Sequence, residues 1–373
     1  MSVGGAKNAV YTKEYNRLLI LRHLRQQPAS RAELARLTGL TRAAISLITE
    51  ELIDGGFIKE SSQSVDHGRG RTPVLLKLHP DGAYAVGICL TRQDCRVGLC
   101  DFRGRLLGSR TMPLPKRPQA LAEAVGSAVE ALVEENAVPR EKLLGAGVVT
   151  PGPVDAKSGT ILNPPGFAAF HGFAICDSLG QRLGLPVLLE NDANAAALHN
   201  YMDGQFPGKD NFLLLLVDSG VGSGAIVDGK LLHRCELGHT SIDYRGPKCA
   251  CGNRGCLETF AATPRILKAF PSYDSWERLV DSEDGDSALK LEAKYLASAI
   301  VNFINLLPAQ TVLLTGQLRA CAQRLAPMIR AELCGKALLL DKGEITILPA
   351  LQTPEGGVQA SCSVVIGRYL GIC

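Results

Sequence analysis

No apolar run in the chain approaches the ~20 residues that a membrane-spanning helix needs. The longest, Phe212–Val217, suits a buried strand. The N-terminal apolar stretch Leu18–Leu21 is too short for the core of a secretory signal. Tryptophan occurs once in 373 residues, yet 46% of the chain is hydrophobic, ample for ordinary α/β cores in two or three folding units. Net charge is only +3, which excludes a uniformly polyanion-binding chain. These features predict a protein of the reducing cytoplasm with no membrane association. The twelve cysteines fit that reading, because outside one cluster they sit mostly singly in apolar contexts such as Gly87–Cys89.

What the chain does have is uneven. The cysteine cluster lies in Glu236–Glu258, where His239, Cys249, Cys251 and Cys256 follow the pattern H-x9-C-x-C-x4-C. Three thiols and an imidazole at this spacing predict a tetrahedral structural zinc site in a loop spanning 239–256. Four protein ligands leave no open position for an activated water, so the metal is expected to act as a scaffold. A Cys-x-Cys pair does not have the spacing of a redox dithiol. Glu236 and Glu258 flank the cluster without being needed as ligands, and together with the imidazole they suggest a platform for a polyhydroxy compound.

Charge is concentrated at the N-terminus, where residues 1–80 carry 12 Lys and Arg against 7 Asp and Glu. Leu18, Leu19, Leu21 and Leu24 recur at helical spacing before Pro28. Ser30 and Glu33 form a capping box for a second helix with Leu34 and Leu37 on its inner face. Gly39 permits a turn, and Thr41 caps a third helix whose core face is Ile45, Ile48 and Leu52. Phe57–Glu60 and Pro73–Leu78 then read as a hairpin whose tip carries Arg69 and Arg71, separated by Gly70. This is the pattern of a winged helix-turn-helix, an all-α-rich domain over residues 1–80. Arg42, Ala43, Ser46 and Leu47 point away from the core face and are expected to meet the major groove of double-stranded DNA. Arg69 and Arg71 suit the minor groove.

Residues 81–373 alternate short strands and helices: three strands, a helix, a strand, then a second similar half. The pattern predicts duplicated RNase H-like halves, an α/β body of the actin/hexokinase-like, two-lobed kind. Polar clusters fall at strand ends, where such halves bind ligands: Asn163 in Asn-Pro-Pro-Gly, Asn191 and Asp192 after a buried strand, and Glu236, His239 and Glu258.

Four segments carry a resemblance to the ROK family, which groups sugar-responsive repressors with sugar kinases: Leu162–Phe167, Glu190–Asn194, Glu236–His239 and Cys249–Glu258. The resemblance implies that Asn163, Asn191, Asp192, Glu236, His239 and Glu258 surround a sugar or sugar phosphate. It also implies that His239 binds zinc through one ring nitrogen and can face the sugar with the other. Kinases of the family open the body with Asp-x-Gly-Gly-Thr. The matching stretch here is Cys89-Leu-Thr-Arg-Gln93, and Arg92 is expected to fill the space of an ATP phosphate. The glycine-rich Ser219–Gly224 turn is better kept. The segment Leu231–Cys235, at the rim of the ligand cleft, is shorter than the family usually has. The expected protein is therefore not an enzyme. It is a DNA-binding repressor of sugar uptake or catabolism genes, a homodimer or dimer of dimers on an inverted-repeat operator. The alternatives are an ATP-dependent sugar kinase, or a repressor controlled by a protein partner.

Overall fold

A computed structural model describes residues 9–61, 74–336, 345–351 and 355–373. Arg69 and Arg71 at the predicted wing tip lie outside the described residues. The chain divides into two compact units, one built from the chain up to Glu190 together with Gly357–Cys373, the other from Asn191–Gly356.

The first unit begins with α1 (Ala9–Gln26), β1 (Ala29–Ser30), α2 (Arg31–Thr38), α3 (Arg42–Asp54), β2 (Ile58–Glu60) and β3 (Leu75–Leu78), the strands pairing in the order β1-β3-β2. Three helices thus accompany a small antiparallel sheet, the element order expected of residues 1–80. Ser30 Oγ accepts from the Glu33 N–H at 3.2 Å while the Glu33 carboxylate accepts from the Ser30 N–H at 2.7 Å, so the capping box forms. Gly39 at φ +72° closes α2, and the Thr41 hydroxyl caps α3. Leu21, Leu24, Leu34, Ile45, Ile48 and Leu52 are buried as expected. Leu37 is not: it is 42% exposed, next to the last residue of α2.

The body of this unit follows: β4 (Tyr84–Leu90), β5 (Asp94–Asp101), β6 (Leu106–Pro113), α4 (Pro118–Glu135), β7 (Leu143–Thr150), β8 (Val154–Asp155), β9 (Thr160–Ile161), β10 (Phe173–Ala174), α5 (Ile175–Leu183) and β11 (Val187–Asn191). The main sheet runs β11-β7-β4-β5-β6, with β4 and β7 parallel and the β4, β5, β6 meander antiparallel. The C-terminal helix, Gly356–Tyr369, lies directly on this sheet. A Cβ on Gly87 of β4 would stand 2.3 Å from the Val358 carbonyl, and one on Gly147 of β7 2.0 Å from that of Ser361. Only glycine allows the helix backbone so close to the strands.

The same helix receives the N-terminal module. Arg22 donates to the carbonyls of Leu370 and Gly371, Arg25 donates to the Phe102 carbonyl at 2.9 Å, and Arg17 donates to the Tyr369 hydroxyl at 3.0 Å. Phe57, Phe102 and Tyr369 pack ring to ring with centroids 5.7–5.9 Å apart.

The second unit contains α6 (Asp192–Asp203), β12 (Phe212–Val217), β13 (Val221–Val227), β14 (Lys230–Leu231), α7 (Glu258–Ala261), α8 (Thr263–Leu267), α9 (Trp276–Val280), α10 (Gly285–Ile304), β15 (Thr311–Gly316), α11 (Ala322–Leu333) and β16 (Thr346–Pro349). Its sheet runs β14-β13-β12-β15-β16. Each unit thus has an antiparallel three-strand meander followed by two helix-linked strands added parallel to its first strand, the duplicated RNase H-like plan. The glycine-rich stretch departs from expectation. Gly222 and Gly224 lie inside β13 and not in a turn, because α6 crosses there and a Cβ on Gly224 would meet the Ala193 carbonyl at 2.4 Å.

Candidate metal centre and polar site

Asp192 and Glu258, at the starts of two helices of the second unit, both lie against the first residues of β13. Asn191 caps α6, its side-chain oxygen accepting from the Asn194 N–H at 2.7 Å. Asp192 begins that helix and accepts from the Ala193 N–H at 2.9 Å, with Gly222 of β13 opposite. Glu258 begins α7, and one carboxylate oxygen accepts from the Val221 N–H at 3.1 Å. Glu236 precedes the short turn of helix Leu237–His239 and is exposed. That turn is pressed onto β13, since a Cβ on Gly238 would lie 1.9 Å from the Val221 carbonyl. The glycine of Glu-Leu-Gly-His is thereby explained: it docks the turn against β13. Ser223 completes the anchorage, accepting from the Leu237 N–H at 2.8 Å and donating to the Cys235 carbonyl at 2.5 Å.

His239, Cys249, Cys251 and Cys256 come together as expected, with one potential ligand atom from each within 4.8 Å of all the others. His239 Nδ1 lies 3.6 Å from Cys249 Sγ, and the sulfurs of Cys251 and Cys256 are 3.7 Å apart. These separations suit four donors around one ion with metal–sulfur bonds of about 2.3 Å. Burial pushes the Cys256 thiol up to about 12, so a thiolate there calls for a cation beside it. The donor set, three sulfurs and one imidazole nitrogen, fits zinc. With Nδ1 turned to the cysteines, the Nε2 edge of His239 is left for another partner.

Asn163, the remaining predicted sugar contact, belongs to the first unit and is exposed on the loop after β9. The loop is held at consecutive carbonyls: His171 Nε2 lies 3.0 Å from the Pro164 carbonyl oxygen, and Arg92 Nε donates to that of Pro165 at 3.0 Å. The Arg92 side chain therefore lies along the Asn163 loop and does not stand free in the turn after β4. Sequence reasoning missed both supports, and also the role of Val221. Backbone carbonyls and N–H groups carry no residue-type signal, so only the glycines nearby could have hinted at them.

On α3, Arg42, Ala43 and Leu47 are exposed and Ser46 is partly so, with Leu47 at 58%. Ala43 and Leu47, one helical turn apart, share an exposed face of α3.

Comparison with known proteins adds the following. The chain is 26% identical over 375 residues to the xylose repressor of Bacillus subtilis, with 96% of this chain and 97% of that protein covered. It is 28% identical over 371 residues to the DNA-binding transcriptional dual regulator NagC of Escherichia coli, covering 93% of this chain and 90% of that one. Among solved structures, a ROK family transcriptional regulator described as a homologue of the E. coli Mlc protein superposes with a TM-score of 0.77 at 24% identity, covering 97% and 98% of the two chains. The family model for ROK matches residues 85–359. The polar set around β13, the His and Cys cluster and the paired RNase H-like units thus have their place: the chain belongs to the ROK family.

Proposed function

We propose that this protein is a cytoplasmic DNA-binding transcriptional repressor that responds to a sugar or sugar phosphate and controls genes of sugar uptake or catabolism. The observation that carries the reading is that one chain joins an exposed recognition helix, α3, to a hydroxyl-binding set around β13. A relative named a xylose repressor and one named a DNA-binding transcriptional dual regulator align with it across both parts. Residues 1–80 are the DNA-binding domain and 81–373 the effector-binding body. Arg42, Ala43, Ser46 and Leu47 face the major groove, and Arg69 and Arg71 reach the minor groove. Two subunits place their recognition helices about 34 Å apart on an inverted repeat.

Asn163, Asn191, Asp192, Glu236, His239 and Glu258 bind the sugar. Their carboxylates accept from hydroxyls, and their amides and imidazole add donors. Zinc held by His239, Cys249, Cys251 and Cys256 serves as a scaffold, and fixes the imidazole so that Nε2 faces the ligand. Asp192 binds a hydroxyl without chemistry. The turn after β4 carries Thr91, Arg92 and Gln93 where a phosphate would need glycine-lined backbone, so the body is not a kinase. Effector binding releases DNA by its greater affinity for the DNA-free state.

The test is retention of genomic fragments by the purified protein, then elution with a panel of sugars and sugar phosphates. One compound should release specific fragments, and Asp192→Ala should bind the same fragments yet resist release. Normal release from Asp192→Ala would exclude this sugar site. Failure to retain any specific fragment at moderate salt would exclude the regulator.

A further inference from the structure

The small sheet of the N-terminal module has two unlike faces. Ile58, Leu76 and Leu78 are buried in the core, and the residues that alternate with them point the other way. On that outer face Lys59 stands directly opposite Lys77 in the antiparallel register, and both are partly exposed. The next pair along the same face is Phe57 with His79, joined by the His79 N–H, which donates to the Phe57 carbonyl at 2.9 Å. The chain then enters the body of the same unit. There Lys142, in the helical turn Arg140–Lys142, donates to the Asp81 carbonyl at 2.9 Å. Burial lowers the His79 imidazole below its ordinary pKa, with Lys59 and Lys142 adding to the effect and Asp81 opposing it, so both lysines lie near the ring.

Like charges directly opposite on neighbouring strands destabilise a sheet. Among the described residues nothing offsets this pair, for neither Lys59 nor Lys77 has a hydrogen-bond or ion-pair partner there. Glu60 is on the other face of β2 and lies 3.5 Å from Arg31. Asp81 is exposed and accepts from the Tyr84 hydroxyl. The partner of Lys142 is a neutral carbonyl, so its charge also stays uncompensated. Within the same described residues His79 Nδ1 is buried without a hydrogen-bond partner. Three cations and an imidazole thus form a strip of one sign, which suits a polyanion. The strip belongs to the module that carries α3, and Arg69 and Arg71 lie between its two strands in the sequence. The polyanion it fits is therefore the one that this module is proposed to read.

We infer that the outer face of β2 and β3, continued by Lys142 of the body, is a second contact with DNA that holds backbone phosphates beyond the stretch covered by the recognition helix. Such contacts fix the position of a protein on the duplex without reading sequence. The inference rests on the DNA-binding reading above, and its test keeps the two apart. Full-length protein is titrated over a range of salt with a fragment it retains from the genome and with a random-sequence duplex of about 40 base pairs, roughly four helical turns. Wild type is compared with Lys59→Gln/Lys77→Gln, Lys59→Arg/Lys77→Arg and Lys142→Gln. The double glutamine variant should lower the salt slope of log K by about two units on both duplexes, and Lys142→Gln by about one, with the preference for the retained fragment unchanged. The double arginine variant keeps the charge and should keep the slope. The melting temperature of the free protein should hold or rise in Lys59→Gln/Lys77→Gln, because opposed like charges are removed. A fall would mean that the lysines are paired within the chain, and overturns the inference. So does a slope in the double glutamine variant equal to that of wild type, which leaves DNA to α3 and the hairpin tip. Tripolyphosphate binding that the double glutamine variant loses while its DNA slope is unchanged would assign the strip to a small anion, and equally overturns it. If wild type binds neither duplex, the DNA-binding reading fails and this inference fails with it.

Discussion

Two single residues carry predictions that do not depend on the effector. Glu292 on α10 is fully buried, and among the described residues neither carboxylate oxygen has a hydrogen-bond partner. Burial holds its carboxyl well above the ordinary value of 4.5. The folded chain therefore keeps a proton that the unfolded chain releases. The sign follows: Glu292 costs nothing below about pH 4.5, and the folded state loses up to about 1.4 kcal/mol per pH unit as pH rises from there toward the raised folded value. In Glu292→Gln that slope should vanish, so the gain in melting temperature over wild type should grow between pH 5 and 7.5, taken as roughly the range in which globular proteins are otherwise most stable. A difference that stays flat with pH would mean that Glu292 is charged and paired in the fold. Arg42, proposed above as a DNA contact, is expected to act on binding and not on stability. Arg42→Ala should weaken DNA binding across sequences and lower the salt slope of log K by about one unit. Unchanged affinity and slope would take α3 off the DNA.

At the scale of elements, the metal loop is a short irregular segment with two isolated bridges, Ser241 to Cys256 and Lys248 to Arg254, in place of a regular ladder. Little buried apolar surface holds it, so the ion is expected to supply its stability. At a thousandfold excess of metal over Kd the contribution is about 4 kcal/mol. Chelation should lower the melting temperature by several degrees, and added zinc should restore it. Cys251→Ser should melt like chelated wild type and ignore the metal. Identical melts with and without chelator would remove zinc from the account. The elements also show where reading residues succeeds. α2 and α3 were legible from Ser30, Glu33, Gly39 and Thr41, because caps and turns are local chemistry. The cluster of His239, Cys249, Cys251 and Cys256 was legible because metal-ligating residue types announce themselves. The C-terminal helix was not. Val358, Ala360, Ser361, Cys362, Ser363, Val364, Val365, Ile366 and Gly367 are all buried, so it has no polar face and no helical period. Its seat is made by Gly87 and Gly147, over 200 residues away in sequence, which only the folded chain brings beneath it. Leu37 failed for the opposite reason, an apolar residue at helical spacing left at the surface.

For the whole molecule, the decisive quantity is the coupling between effector and operator. The N-terminal module is fixed to the body of its own unit by Arg17, Arg22 and Arg25 and by the Phe57, Phe102 and Tyr369 rings. The module therefore moves with that body, and effector binding can reach DNA without a flexible link between them. Linkage then fixes the result. If effector lowers operator affinity by some factor, operator must lower effector affinity by the same factor, typically about 5–150-fold for allosteric proteins. The measurement is effector Kd by titration, once with free protein and once with protein saturated by operator, beside operator Kd with and without effector. The two ratios should agree within error. Weakening the latch with Tyr369→Ala should shrink both ratios together while leaving effector Kd on free protein unchanged, because Tyr369 lies in the packing between module and body. Ratios that disagree would show that release runs through a further equilibrium, such as a change of oligomeric state. Unchanged ratios in Tyr369→Ala would show that the coupling does not pass through this packing.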